Sequence, residues 1–186
     1  MAGSTPQPGG GNRLCVYRAE DAVLVQVVGL GNMFLAPTLH AFVESELKAG
    51  FSSFVIDLEQ CTGMDSTFMG TFIGLSAEVK RNFGWFCLVN VSDDNMRLLQ
   101  MLGVLHMVSV HEGEFPPAAG EYTTLFPTND PYVRQKQIHS AHRLLMDSHP
   151  ENEKRFGPFI KALEAEMNDV PTILPPKEEG DSGAAR

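Results

Sequence analysis

The stretch VIDLEQCTGMDSTFMGTF, which runs from Val55 to Phe72, contains the transition that decides the fold. An apolar run ends at Leu58, a short turn follows, and apolar residues then return at the spacing of a helix. The helical stripe consists of Phe68, Phe72, Leu75 and Val79. Because these positions share one helix face, the stretch predicts a buried strand and then an amphipathic helix. The polar triplet Asp65-Ser66-Thr67 lies at the junction of the two.

Strand-like and helix-like segments alternate on both sides of this stretch. In chain order, the sequence predicts strands at 13–17 and 22–28, a helix from Pro37 to Gly50, a strand at 54–58, a helix at 65–82, a strand at 85–91, a helix from Ser92 to Gly103 and a strand at 104–110. A short polar segment between the first two strands is typical of a hairpin. The later alternation favours parallel pairs with right-handed crossovers. The order β-β-α-β-α-β-α-β therefore predicts an α/β domain with a mixed, mostly parallel sheet.

The C-terminal third of the chain has a different pattern. Residues 111–131 are rich in proline, glycine and turn formers, which indicates a linker or an extended wrap. A helical pattern follows at about 132–146, and Ser148-His149-Pro150-Glu151 matches a capping box that would open a second helix. We therefore expect a helical hairpin that needs a surface to cover. The expected organisation is a disordered leader at 1–12, the α/β domain at 13–112, a linker at 113–131, a helical extension at 132–170 and a disordered tail at 171–186.

Composition and charge limit the classes of partner. Hydrophobic residues make up 43% of the 186, enough for a globular core, and no apolar run reaches the ~18–20 residues that span a bilayer. The N-terminus lacks the basic and apolar regions of a secretory signal. The net charge of −9 disfavours phosphate-rich partners. The sequence therefore predicts a cytoplasmic protein with neither nucleic acid nor membrane as its partner.

The cysteines and histidines do not form a recognisable metal motif. Cys15, Cys61 and Cys87 are widely spaced, and the first and last of them fall in apolar strands, where cysteine is typically a small buried hydrophobe. His139 and His142 are three residues apart, but a third ligand in register is missing, so we expect a solvent-facing helix. Neither a metal nor another cofactor is predicted.

Three explanations compete for Ser66 at the strand-to-helix junction. A catalytic nucleophile is disfavoured because glycines do not flank the serine as in G-x-S-x-G, and the spacing of His40, His106 and His111 does not indicate a catalytic base. A helix cap explains the residue types of the triplet. A phospho-acceptor is also consistent, since phosphate is favoured at a helix N-terminus and adds charge that can disrupt a partner interface. The cap and the phospho-acceptor are compatible with each other, and an enzyme is not predicted.

Three segments carry a resemblance to a known family. FVIDLEQCTGMDSTFMGTFIGL, at 54–75, resembles the signature of STAS domains, in particular bacterial anti-sigma factor antagonists, in which Met-Asp-Ser-Ser-Gly-Leu-Gly opens a helix after a short strand. LVQVVGLGNMFLAPTLHAFVESELKAGFSSFVIDL, at 24–58, is similar to the family's entry segment. WFCLVNVSDDNMRLLQMLGVLHMVSV, at 85–110, is similar to its exit segment. The resemblance covers roughly residues 13–110 and implies a STAS-like fold.

The resemblance also implies a function without catalysis. In the family, a partner anti-sigma factor with serine kinase activity phosphorylates the serine after the aspartate, and the unphosphorylated protein binds that kinase and frees a sigma factor. Carried over, the acceptor is Ser66, next to Asp65 and Thr67. The residues expected to contact the partner are Asn32, Met33, Asp65, Thr67 and Thr71. Two alternatives stay open: a STAS scaffold or transport-linked adaptor that does not cycle phosphate, and a small-ligand-binding protein.

Two features of the sequence depart from the family or extend it. Phe68 occupies the position of the family's glycine, and we expect it at an exposed first turn, where it would alter the partner surface or hinder a kinase. Gly70 and Gly74 lie one turn apart and predict a helix face pressed closely against another element. The C-terminal extension would either cap the domain's own apolar surface or form a homodimer.

Overall fold

The structure of the protein is a computed structural model that describes residues 11–113, 115 and 120–168. The expected disordered tail at 171–186, and all but the last two residues of the expected leader at 1–12, lie outside these residues. The described elements are β1 (Arg13–Arg18), β2 (Val23–Gly31), α1 (Ala36–Lys48), β3 (Ser53–Asp57), β4 (Cys61–Met64), α2 (Ser66–Arg81), β5 (Trp85–Val89), α3 (Asp93–Met101), β6 (Ser109–Val110), β7 (Thr123–Leu125), α4 (Pro131–Ser148) and α5 (Pro150–Asn168).

The main path of the sheet has the order β6-β5-β3-β2-β1-β7. The pairs β2–β3, β3–β5 and β5–β6 are parallel, whereas β1 is antiparallel to both β2 and β7. The strand β4 lies off this path and pairs in parallel with the end of β2. The predicted mixed α/β sheet with a C-terminal helical extension is therefore confirmed.

Successive side chains along each strand point to opposite faces of the sheet, and both faces carry apolar residues. Residues such as Phe54 and Phe86 point into the main core, which α1 and α2 cover and which includes the fully buried Phe72. The intervening residues Val55 and Cys87 form a small cluster on the opposite face. Cys15 and Cys87 are buried free thiols, as expected, and burial raises the pKa of the Cys87 thiol.

The connection between β6 and β7 joins the two opposite edges of the sheet. Phe115 packs against the small cluster of Val55, Cys87 and Val89, and its backbone N–H donates to the side-chain oxygen of Asn90 at 2.9 Å. Further along, the rings of Tyr17 and Tyr122 lie 5.8 Å apart. Phe115 and Tyr122 therefore contact the sheet on the face opposite α1 and α2, and β7 then pairs with the edge strand β1.

Several local expectations were wrong. The expected strand at 104–110 is a 3-10 turn at Val104–His106 followed by the two-residue strand β6. The segment Cys61–Met64, expected as a turn, is β4, because the end of β2 extends past β3 and offers it a pairing edge.

The expected capping box at Ser148 is also absent. Ser148 is the last residue of α4, and its hydroxyl donates to the carbonyl oxygen of Leu145 at 2.8 Å. The helix α5 begins at Pro150, whose fixed φ suits a first helical position, and the ring of His149 accepts the N–H of Glu151 at 3.3 Å. The cap is thus one residue later than the pattern predicts.

The hairpin α4–α5 packs against the domain rather than extending from it. Helix α4 contacts α2 and, more weakly, α1, and α5 packs on α4. The buried side chain of Asn152 in α5 donates to the carbonyl oxygens of Leu102 at 2.9 Å and Leu145 at 2.7 Å, so it joins both helices to the loop after α3. Within the described part of the chain, none of the helices has the length and apolarity to cross a bilayer.

Candidate functional site

Asp65 connects the start of α2 to the turn after β2. Its Oδ1 accepts the backbone N–H of Phe68 at 2.8 Å, which is an N-cap interaction, and its Oδ2 accepts the N–H of Met33 at 2.7 Å. The Asp65 N–H donates in turn to the carbonyl oxygen of Gly31 at 2.9 Å. Burial raises the pKa of Asp65, and the hydrogen bonds from Phe68 and Met33 partly oppose that shift. Asp65 thus fixes the start of α2 relative to the turn after β2 at the carboxyl edge of the sheet.

The turn at Asn32 and Met33 lies beside this carboxylate. The side-chain oxygen of Asn32 accepts the N–H groups of Phe34 at 3.1 Å and Leu35 at 3.2 Å, and so shapes the entry to α1. The N–H of Met33 is already bound to Asp65. The structure therefore brings the two expected contact residues next to Asp65, with both side chains half-buried at the rim of the site.

Ser66 is the first residue of α2 and its hydroxyl is bound by a histidine from α4. The Ser66 Oγ lies 2.9 Å from Nε2 of His142, and Nδ1 of the same ring lies 2.8 Å from the carbonyl oxygen of Ile138. Because a carbonyl can only accept, Nδ1 carries the proton. Burial lowers the pKa of His142, so the ring is neutral at neutral pH and its Nε2 accepts the Ser66 proton.

His142 is enclosed rather than solvent-facing, so that expectation was wrong. Its side chain is buried, and the rings of Phe156 and Phe159 from α5 meet it edge-on at centroid distances of 4.8 and 5.1 Å. The neighbouring His139 lies 2.8 Å from the carboxylate of Glu164 instead. In the part of the chain that the structure describes, no group of three or more His, Cys, Asp or Glu side chains could hold a metal ion.

Two glycines of α2 allow α4 to approach closely. A Cβ added to Gly70 would clash with the carbonyl oxygen of Ala141, and one added to Gly74 would lie 3.1 Å from the Leu144 side chain. The predicted close approach of this helix face is confirmed, and α4 is the element that approaches. Glycines at these positions therefore bring Ala141, and with it His142, down onto the start of α2.

Thr67 and Thr71 are buried at this helix interface. Their side chains are 4% and 1% exposed, and the Thr71 hydroxyl donates to the carbonyl oxygen of Thr67 at 2.8 Å. Gln137 of α4 donates to the same Thr71 hydroxyl at 2.8 Å. Two of the five expected partner contacts thus lie beneath α4, while Asn32 and Met33 lie at the rim.

Phe68 does not lie on the surface, contrary to expectation. It is fully buried, its ring contacts Phe72 at a centroid distance of 5.1 Å, and a Cβ on Gly31 would clash with it. The stripe of apolar residues that predicted the helix also includes Phe68, and that stripe faces the core. The aromatic side chain therefore fills the interior beneath the turn after β2.

The Ser66–His142 pair has the geometry of a nucleophile and a base, but its surroundings do not suit acyl transfer. Such a reaction needs free N–H donors directed at the developing oxyanion. The N–H of Phe68, at the start of α2, donates to Asp65, whose carboxylate would also repel an oxyanion. Phe156 and Phe159 enclose the base. The arrangement instead holds one hydroxyl at a helix N-terminus beneath a second helix.

Comparison with known proteins identifies the domain that carries this site. A family model described as the STAS domain matches residues 14–115, which is more than half of the chain. The chain belongs to the STAS domain family. The match ends before β7. The hairpin α4–α5 therefore lies outside the residues of this chain that the family model matches.

Several individual proteins are similar to part of this chain. Anti-sigma-B factor antagonists from several strains of Staphylococcus aureus are 28% identical over 89 residues, which cover 48% of this chain and 82% of the relative. The solution structure of TM1081 superimposes with a TM-score of 0.50 at 18% identity and covers 60% of this chain and 90% of that one. The anti-sigma factor antagonist SpoIIAA in its unphosphorylated form has a TM-score of 0.48 at 16% identity, over 53% of this chain and 87% of that one.

Proposed function

We propose that this STAS protein is a phosphorylation-switched interaction module that binds an anti-sigma factor with serine kinase activity while Ser66 is unphosphorylated, and so regulates transcription. The observation that carries this proposal is the Asp65-Ser66 pair, with the serine hydroxyl at the first residue of α2 on the carboxyl edge of the sheet. The names of the Staphylococcus aureus relatives support the same role. The net charge of −9 favours a protein partner over nucleic acid.

The modification is a phosphoryl transfer from a nucleoside triphosphate held by the kinase. A bond forms between Ser66 Oγ and the γ-phosphorus, the bond from that phosphorus to the β–γ bridging oxygen breaks, and the hydroxyl proton passes to a base of the kinase or to water. The nucleoside diphosphate leaves. The product carries roughly −1.5 to −2 charges next to the Asp65 carboxylate. A partner that packs on this edge would meet both added volume and added charge, so its binding weakens.

The proposed partner surface combines rim residues with residues beneath α4. Asn32 and Met33 lie half-buried at the rim, next to Asp65. Thr67 and Thr71 are both buried, and Gln137 of α4 is hydrogen-bonded to Thr71, so a partner would reach them only if α4 were displaced.

Phosphate incorporation tests the proposal directly. Full-length protein incubated with its cognate anti-sigma kinase and ATP should gain one phosphate by intact mass, and Ser66→Ala should abolish the gain. The matched control is Ser45→Ala, which alters an exposed serine on α1 and should leave incorporation unchanged. Ser66→Asp should lose binding to the same kinase. A phosphate that is still incorporated by Ser66→Ala, or not at all by the unaltered protein, would refute the proposed role of Ser66.

A second candidate is a STAS scaffold or adaptor that does not cycle phosphate. The hydrogen bond between Ser66 and His142 favours it, because the hydroxyl then has a structural role within the protein. For this candidate, the partner complex would be equally stable with the unaltered protein and with Ser66→Asp. Measuring both affinities by calorimetry separates the two candidates.

A further inference from the structure

The hydroxyl of the half-buried Ser66 points at α4. A hydrogen bond of 2.9 Å joins its Oγ directly to Nε2 of His142, so the ring occupies the side from which a phosphorus atom would approach. The Oγ–P bond and the three outer oxygens need several further ångströms in that direction. With the side chain in this conformation, modification therefore requires a displacement of α4.

A small adjustment of α4 is opposed by its packing. The backbone carbonyl of Ala141 lies against the bare Cα of Gly70, and Gln137 is hydrogen-bonded to Thr71 one turn away. At the other end, Asn152 holds the α4–α5 junction to the carbonyl of Leu102. Because close-packed interfaces have discrete arrangements rather than continuous ones, the hairpin is either seated or released.

We propose that α4 is a built-in occupant of the face around Ser66, and that α4 and a phosphate on Ser66 exclude each other. The helix has to leave before the hydroxyl can be phosphorylated, and it cannot return afterwards. The identity of the modifying enzyme rests on the proposed function, but the mutual exclusion is a property of this chain and can be measured without the enzyme.

The chemistry of the phosphorylated site opposes reclosure. In the closed protein Ser66 is the donor and the neutral His142 the acceptor. A phosphoserine has lost that proton, so its oxygens would face the lone pair of Nε2 and the nearby carboxylate of Asp65 in a half-buried setting. A charge that is partly withdrawn from water and has no partner is unfavourable. Release of α4 returns the phosphate to water.

The same exclusion applies to any partner that uses this face. The seated α4 covers Thr71, which is 1% exposed and hydrogen-bonded to Gln137, so a partner can contact Thr71 only in the open form. Its apparent dissociation constant is then the intrinsic value divided by the open fraction. A phosphate on Ser66 therefore has two opposite effects on a partner: it raises the open fraction, and its charge and volume raise the intrinsic dissociation constant. The proposed function requires that the second effect is the larger.

Gly70→Ala introduces a steric clash at one point of the α2–α4 interface. The new methyl group would clash with the Ala141 carbonyl, whereas alanine is the better helix former by about 1 kcal/mol, so α2 itself is not weakened. Gly74→Ala is the matched control, because its methyl group would lie 3.1 Å from the movable end of the Leu144 side chain. Ser66→Glu supplies a carboxylate at the modification site, and Ser66→Ala removes the hydrogen bond without adding charge.

Hydrogen–deuterium exchange of full-length protein measures how often α4 opens. We expect the amides of 131–148 to exchange at least about tenfold faster in Gly70→Ala and Ser66→Glu, and within about threefold of the unaltered protein in Gly74→Ala. Ser66→Ala should lie between them, and the amides of β3 and β5 should keep their protection in every variant. Unchanged exchange of α4 in both Gly70→Ala and Ser66→Glu would overturn the inference. Slower exchange in Ser66→Glu would also overturn it, since an ion pair with His142 would then lock the hairpin.

A kinase assay separates this inference from the proposed function. If α4 limits access, Gly70→Ala should be phosphorylated faster than the unaltered protein by the same factor as its exchange increases. Equal phosphorylation rates would refute the exclusion while leaving Ser66 as the acceptor. The reverse result, faster exchange with no phosphate incorporated in either protein, would refute the acceptor role and leave the exclusion standing.

Discussion

Replacement of Asp65 tests the arrangement that joins the start of α2 to the turn after β2. Its carboxylate makes two separate backbone hydrogen bonds, one to Phe68 within its own helix and one to Met33 across the turn after β2. Asp65→Ala removes both. Asp65→Asn retains an oxygen for the helix cap but replaces the other oxygen with an N–H₂ group, which then faces the Met33 N–H as donor against donor.

The two contacts have different expected magnitudes. Loss of an N-cap costs about 1 kcal/mol of the free energy of unfolding, and loss of a hydrogen bond to a charged group costs about 1.5–3 kcal/mol. Burial disfavours the ionised carboxylate of Asp65, as its raised pKa indicates. Removing the carboxylate relieves this desolvation cost, so the net loss of unfolding free energy is smaller than the two contributions added together. We therefore expect about 2–3 kcal/mol for Asp65→Ala and about 1–2 kcal/mol for Asp65→Asn.

Urea unfolding followed by circular dichroism measures these differences, with Asp130→Ala as the matched control. Asp130 caps α4 by accepting the N–H groups of Tyr132 at 2.9 Å and Val133 at 3.2 Å, but it is exposed and does not bridge to a second segment. Its loss should cost about 1 kcal/mol or less. Equal costs for Asp65→Ala and Asp130→Ala would refute the argument that the contact to Met33 stabilises the loop.

Three further predictions concern the hairpin and the core. Because burial lowers the pKa of His142 below its ordinary value of 6.5, the open form binds a proton that the closed form does not. The seated position of α4 should be most stable above about pH 6.5 and should lose stability as the pH falls below that value. Hydrogen–deuterium exchange of the α4 amides, corrected for intrinsic rates, should therefore become faster at lower pH. His142→Gln should remove this pH dependence of α4 exchange. Asn152→Ala leaves the carbonyls of Leu102 and Leu145 without their shared donor and should cost about 2–3 kcal/mol of unfolding free energy by urea titration. Phe68→Ala should cost about 3–5 kcal/mol by the same measurement, and a cost below about 1 kcal/mol would contradict its place in the core.

The features that depend on near neighbours in the chain were predictable from the sequence. The cap of α2 lies one residue before the helix, and the close approach at Gly70 and Gly74 follows from their spacing on one face. The strand β4 was not predictable in this way, because its pairing edge is provided by β2 rather than by its own residues. Local pattern therefore determined the helix but not every strand beside it.

The contact between Ser66 and His142 illustrates why the site itself was harder to predict. The two residues are 76 positions apart, and a histidine on a polar helix carries no mark of the surface on which that helix will pack. Phe68 illustrates a different difficulty. Its place in the apolar stripe predicted burial correctly, whereas its place in the family's motif suggested exposure, and the physical pattern was the better guide.

The short strand β7 has a consequence for how the hairpin competes. It anchors the chain to β1 up to Leu125, and the carbonyl of Phe126 accepts a hydrogen bond from Thr38 at 3.1 Å. Only the segment from Phe126 to Pro131 then links this anchor to α4, and it spans at most about 17 Å when extended. A released α4 would thus stay near its own docking face at an effective concentration in the millimolar range. A partner present at micromolar concentration would displace it only by binding that face much more tightly than α4 does.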